Sequence, residues 1–443
     1  MRFTTKDILK IIIPIILEQL LAITVGMFDS IMVSSEGEAA VSGVSLVDSV
    51  NVFLTVLFFS LSSGGAIVLS QLLGKKDTTT ANEAAKQIIY ITVMVALVIG
   101  ILVVCLQAPL LNLVFGKVEA DVMENAKIYF LLTGISYPFI AITGATNAIF
   151  RAQKKTGITL LLSIVSNGIN IVGNAILIYV FKMGVLGAGI ATLFSRIVTA
   201  IVALILVCRK KNNEIYIENL FKYKFNKDLI KKVCGIGIPN GLENSFFHLG
   251  KLLVSSLVSG FGTASIAANA VAQTLSGFHF TTGTAINTGL TTVVGICVGA
   301  GEKDQAKQYT KRITLMVYIA YIILSIIFAS TVDLFSSIYN LSPQASIICK
   351  NVIFFNCISA CIVWPLSFTI PSAFRAASDV KFTMIISILS MWIFRVAGSY
   401  VIHYVFNLGV YSVWIAMVAD WVFRAIIFVP RFIKGTWLTK YKQ

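Results

Sequence analysis

Charge is what this sequence has least of. Asp, Glu, Lys and Arg together make up 12% of its 443 residues, against roughly a quarter in soluble domains, while hydrophobic side chains reach 57%. That balance excludes a water-soluble globular domain and a disordered chain, and it puts the protein in a bilayer. Acidic residues are scarcer than basic ones, 20 against 35 Lys and Arg, so the meaning of the excess depends on where the basic residues fall. Histidine is nearly missing. His248, His279 and His403 are scattered, and no HExxH, Walker or nucleophile-elbow pattern accompanies them, so no enzyme constellation and no cofactor fingerprint is present. The Gly184, Gly187 and Gly189 cluster lies at the start of an apolar run, with no strand before it. Seven cysteines, an odd number set mostly within apolar runs, argue against a disulfide framework. Cys357 and Cys361 share a helix face, but two thiols make an incomplete metal site.

What is abundant is apolar sequence in long runs. A helix needs about 20 such residues to cross the hydrocarbon core. Runs of this kind fall at roughly 8–33, 44–73, 88–113, 127–150, 158–181 and 186–208, then at 233–258, 265–299, 313–335, 349–374, 380–406 and 410–433. The fold expected is an all-α polytopic membrane protein of twelve transmembrane helices. The first run follows a basic start (Arg2, Lys6, Lys10) and carries Glu18 and Asp29. It is too long for a signal-peptide core, so it counts as the first span. An even number of spans puts both termini on one side. The basic residues collect at the ends and in the even-to-odd connections, and Lys117, Lys127, Lys182 and Lys350 fall on the other side; the positive-inside rule makes both termini cytoplasmic. The basic stretch 209–232, with Lys210, Lys211, Lys222, Lys224, Lys227 and Lys231, reads as a solvated linker between residues 1–208 and 233–443, able to touch anionic lipid but not nucleic acid.

The two halves repeat. Pro14-Ile-Ile-Leu-Glu18 returns as Pro239-Asn-Gly-Leu-Glu243, Ala148-Ile-Phe-Arg151-Ala as Ser372-Ala-Phe-Arg375-Ala, and the Gly184 turn as Gly409. Six spans per repeat give both halves the same orientation, so their pseudo-twofold axis runs along the membrane normal. Two six-helix bundles around a central cavity are expected.

Ionisable groups inside such spans cost at least about 2.5–3.5 kcal/mol each and mark function or pairing. Asp29 is deep enough in span one to favour function. Glu18 and its repeat mate Glu243 fit either a pairing near the cytoplasmic interface or contact with substrate or gate. Asn170 and Asn174 are four apart and stack on one face of span five, with Asn167 nearby, and span six adds Thr192 and Ser195. Amide and hydroxyl oxygens beside a carboxylate suit a proton or a hard monovalent cation such as Na+. His248, Lys251 and Arg395 are substrate or gating candidates. Lys251 and Arg395 have Glu243, Asp420 or an anionic substrate as possible partners, and fixed positive charge there favours anionic or zwitterionic cargo.

The chain resembles the multidrug and toxic compound extrusion family over nearly its whole length. The likeness rests on Asp29–Val33, on Ser-Gly-Gly followed by Ser-Gln-Leu-Leu-Gly in Ser63–Gly74, on Phe150–Gln153 and on Gly184–Thr192. It implies an amino-terminal cation site made of Asp29, Asn170, Asn174 and Thr192. Many relatives carry Asp where this chain has Asn174, and some carry an acidic group deep in span seven where it has Phe247 or His248. The activity implied is secondary antiport in a bacterial-type plasma membrane. Amphipathic, cationic drugs or metabolites would leave in exchange for H+ or Na+ by rocker-switch alternating access, in a monomer without a cofactor. The alternatives are a flippase or exporter for a lipid-linked or anionic compound, and a non-transporting scaffold or receptor.

Overall fold

The computed structural model describes residues 2–116, 118–211, 213–220, 222 and 225–441. Lys117, Lys224 and parts of the 209–232 stretch lie outside them. Twelve helical rods follow one another: α1 (Thr5–Ser34), α2 (Glu38–Gly74), α3 (Thr78–Phe115), α4 (Ala120–Ala152), α5 (Thr156–Val180), α6 (Gly184–Cys208), α7 (Lys227–Val258), α8 (Thr263–Gly299), α9 (Lys303–Ile338), α10 (Pro343–Ala376), α11 (Val380–Phe406) and α12 (Tyr411–Lys434). Each expected span lies in one rod within a few residues. The rods overrun the apolar runs where hydropathy stops but backbone bonding does not, as at Lys303–Arg312 of α9. Among the described residues, ten rods are by length and composition apolar enough to cross a membrane; α7 and α8 are not among them. Asn240, Glu243, Asn244, His248 and Lys251 dilute α7, and Thr, Asn and His side chains dilute α8.

Local chemistry sets the ends. Asp77 caps α3 by accepting from the Thr80 N–H at 3.0 Å, and Ser342 caps α10 ahead of Pro343. Three rods carry a π-helical turn: Ala175–Val180 in α5, Pro365–Thr369 in α10 and Met391–Ala397 in α11. Such turns break the side-chain register and recur at functional sites.

The repeat is written into the backbone more fully than into the side chains. Left-handed residues in one half recur 224 or 225 positions later: Gly37 and Gly262, Lys76 and Gly301, Gly116 and Asn340, Lys154 and Ser378, Lys182 and Asn407, Gly184 and Gly409. All five connections between spans of one half therefore turn as their mates do, although residue identity is kept at only two of these six pairs. At Gly37 (φ 101°, ψ 171°) the backbone enters a region essentially open to glycine alone.

The chain forms two compact units, Thr5–Gly241 and Met1–Thr4 with Leu242–Gln443. The division falls inside α7 rather than in the basic stretch, and nearly the first half of α7, to Gly241, belongs to the amino-terminal unit. There α2 and α7 meet at glycines: a Cβ on Gly237 would stand 2.9 Å from Leu61 Cα and 3.1 Å from the Ser60 carbonyl oxygen. Small residues allow this backbone approach, the usual currency of helix packing in lipid. The basic stretch is also not a merely solvated connector. Ile215 and Ile217 are buried, Gln153 accepts from the Glu214 and Ile215 N–H groups at 3.0 and 3.2 Å, and the Asn82 side chain accepts from the Tyr216 N–H at 2.9 Å. Residues 213–217 are docked on α3 and α4. Outward-facing positions such as Leu113, Val180 and Ile433 are apolar, as a lipid-facing surface requires.

Candidate functional site

In the amino-terminal unit Asp29 faces α5. Asn174 Nδ2 donates to Asp29 Oδ1 at 2.7 Å. The Asn170 amide, oriented so that every group finds a complement, donates to Asp29 Oδ1 and Oδ2 at 2.7 and 3.2 Å and accepts from Thr192 Oγ1 at 3.1 Å. Asn170, Asn174 and Thr192 are buried, and Asn174 Oδ1 has no partner. The four-residue spacing on α5 aims both amides at one carboxylate, and Asn174 holds its place at the point where the α-helix passes into the π turn. All four residues implied by the family resemblance thus lie together. Ser195 and Asn167 do not join them; each bonds within its own helix.

Two charges missed by the sequence reading surround this cluster. Asp48 on α2 and Arg196 on α6 are within electrostatic reach of Asp29 and of each other. Arg196 donates to Ser136 Oγ at 2.6 Å, Asn51 donates to Asp48 at 3.5 Å, and Tyr137 Oη donates to Asn51 at 2.7 Å. Thr192 is further engaged by the Tyr129 hydroxyl. An ionisable residue within a span was available as a signal at Asp48 and Arg196, as it was for Asp29.

Glu18 and Glu243 take the pairing alternative. Glu18 accepts from Arg151 Nη2 at 2.8 Å and from Thr159 Oγ1 at 2.7 Å. Glu243 accepts from Arg375 Nη1 at 3.1 and 3.3 Å, and Arg375 also donates to Ser372 Oγ at 2.9 Å. The partners are the Phe-Arg-Ala arginines that mark the sequence repeat, so each half holds the same ion pair.

In the carboxyl-terminal unit two expected pairings do not form. Glu243 is occupied by Arg375, and fully buried Asp420 is held by Arg424 Nε at 2.8 Å and by the Ser390 hydroxyl. Arg395 instead stacks over the Phe247 ring at 5.5 Å, with Nε and Nη1 unpartnered. His248 stands edge-on to Phe247, and Lys251 is exposed on α7. His279, set aside as scattered, is buried with Nε2 3.1 Å from Ser325 Oγ. Among the described residues no group of three or more His, Cys, Asp or Glu is arranged to hold a metal ion.

The MatE family model matches twice, at residues 14–176 and 239–401, two blocks in the repeat register found above. The uncharacterized transporter YisQ of Bacillus subtilis is 24% identical over 96% of this chain and 94% of its own, and a probable multidrug resistance protein NorM of Thermotoga maritima is 23% identical over 98% and 93%. Among solved structures, an outward-facing multidrug resistance MATE family transporter of the MOP superfamily superposes with a TM-score of 0.89 at 18% identity, covering 98% of this chain and 96% of that one. A MOP superfamily transporter from Pyrococcus furiosus gives 0.86 at 19%, with coverage of 98% and 96%. At these identities the structural likeness speaks for fold. The family matches, repeated over both halves of a twelve-helix membrane fold, settle the assignment: the chain belongs to the MatE family of multidrug efflux transporters and is not an enzyme.

Proposed function

We propose that the protein is a secondary antiporter that exports an amphipathic organic compound in exchange for an ion carried at Asp29. The observation that carries this reading is a span-one carboxylate held by two amides of α5. A buried carboxylate so placed is a group whose charge can be gained and lost while its neighbours keep it in position. A proton is the ion this geometry supports. Both amide nitrogens point at Asp29 and Arg196 adds positive charge, whereas a sodium ion needs oxygens turned inward. Asn174 Oδ1 is the buried oxygen left without a partner. One charge moved through ~100 mV supplies about 2.3 kcal/mol, roughly a fortyfold gradient at about 1.4 kcal/mol per decade, without ATP.

The two units would rock to expose the site to either side, and the protein would work as a monomer, since twelve spans of one chain can enclose a site. Both termini cytoplasmic in a bacterial-type plasma membrane is the orientation the basic residues support. Consistent with it, Arg2 bridges to Glu302 at 3.8 Å and the Phe3 N–H donates to Tyr309 at 2.6 Å, while Trp437 packs on Phe374.

Purified protein in liposomes, loaded with rhodamine 6G or rhodamine B and given a proton or a sodium gradient separately, tests the reading. Dye flux driven by the proton gradient is expected, and Asp29→Asn should abolish it while leaving insertion and melting intact. Coupled flux that survives in the folded variant refutes the assignment.

A further inference from the structure

His248 and Lys251 on α7 and Arg395 in the π turn of α11 are not used by the ion pairs or by the Asp29 cluster. Gly250 lets these elements touch: a Cβ there would meet Met391 at 2.5 Å and Val396 at 3.3 Å. Phe246 packs edge-on to Trp392 at 6.2 Å. Arg395 is 3% exposed, and its Nε and Nη1 have no partner. A buried guanidinium with unmet donors is costly unless something accepts from them. Lys251 lies within electrostatic reach of Arg395, one turn along α7 from Phe247, whose ring faces that guanidinium. Asp420 is the carboxylate that acts on Arg395, yet it is already bonded to Arg424 and Ser390. Arg395 and Arg424 thus share a single carboxylate, and Lys251, within reach of His248, adds positive charge next to Arg395.

We infer that Lys251 and Arg395, with His248 and the Phe247 ring, form a binding site in the carboxyl-terminal unit for the anionic group of an amphipathic molecule, a carboxylate, sulfonate or phosphate ester. A guanidinium offers two donors to two oxygens of such a group, Lys251 supplies a point charge, and the aromatic wall takes the apolar portion. The cargo of this transporter therefore carries negative charge, as a zwitterion or an anion. The identity of that group as cargo rests on the antiport reading above; the site does not, since it is read at equilibrium without a gradient.

Rhodamine B and its ethyl ester test this, because they share one cationic ring system and differ only in whether the carboxylate is free. Fluorescence polarisation with the full chain in phosphatidylcholine nanodiscs should show rhodamine B bound about tenfold more tightly than the ester. Lys251→Gln should remove that preference, and Arg395→Gln should do the same with little effect on the ester. Should Arg395→Gln fail to fold, Lys251→Gln at its exposed position still decides. A second arm replaces a fifth of the lipid by phosphatidylglycerol. Rhodamine B displaced by that lipid identifies a lipid headgroup as the natural anion, and rhodamine B retained identifies a free organic anion. Equal affinity for dye and ester, or a preference that survives both substitutions, overturns the inference, whatever the flux assays on Asp29 show.

Discussion

Asn174→Asp puts a second carboxylate directly beside Asp29. Asn174 Nδ2 lies 2.7 Å from Asp29 Oδ1, so a carboxylate oxygen in its place begins at that distance. Two unit charges so close repel by about 6 kcal/mol at an effective dielectric of about 20, comparable to the whole stability of a modest domain. Arg196 already interacts with Asp29 and Asp48 and leaves little to cancel a third negative charge. The variant must keep a proton between the two carboxyls or admit a cation. With both amide donors replaced or opposed by oxygens, Na+ becomes a competent occupant. At 150 mM sodium and a dissociation constant of ~10 mM, stabilisation by mass action is about 1.6 kcal/mol, a few degrees in melting temperature. The assay is thermal melting of wild type and variant in sodium chloride against choline chloride at matched ionic strength. Wild type should be indifferent, and the variant should melt higher in sodium. A variant as indifferent as wild type, with unaltered proton-driven flux, would sink the claim that residues 29 and 174 face each other in the coupling site.

Arg151→Met strands Glu18, whose carboxylate retains Thr159. A fully buried broken pair costs about 3–5 kcal/mol, and the partial exposure of both side chains reduces this to about 2 kcal/mol; adding Glu18→Gln should recover most of it in thermal melts, and strict additivity would show the pair is not coupled. Gly237→Leu drives a side chain into the α2 backbone and should cost about 1–3 kcal/mol or more, so an unchanged melting temperature would contradict the close α2–α7 approach. Asp77→Ala removes the α3 cap at a cost of about 1 kcal/mol. The Thr80 backbone N–H holds the Asp77 carboxyl below its ordinary value. Its contribution is therefore present above the unfolded value near pH 4 and fades as pH falls through the lower folded value. The wild-type advantage should shrink in melts taken below about pH 4.

Number, order and approximate limits of the twelve rods were legible because lipid imposes a length and a hydrophobicity on every spanning segment. The repeat was legible from Pro14 and Pro239 and from the two Phe-Arg-Ala sequences, but its extent was not. Left-handed turns recur at Lys76 and Gly301 or Lys154 and Ser378 through residues of different type, because different side chains can serve one backbone conformation. Asp29, Asn170, Asn174 and Thr192 were found through the family resemblance. Asp48 and Arg196, equally ionisable and equally within spans, were passed over.

What the chain determines by itself is the solvent each segment must occupy and the backbone that solvent permits. Which faces of the rods meet was decided only by tertiary structure. Rotation of α7 and α11 about their axes gives Glu243 to Arg375 and leaves Arg395 against Phe247, and the same kind of choice docks Ile215 and Ile217 rather than leaving them in water. Hydropathy is a property of one segment, whereas a charge pair, an orphaned guanidinium or a glycine contact is a property of two, and residues such as Glu18 and Arg151 become neighbours only once the helices between them have packed.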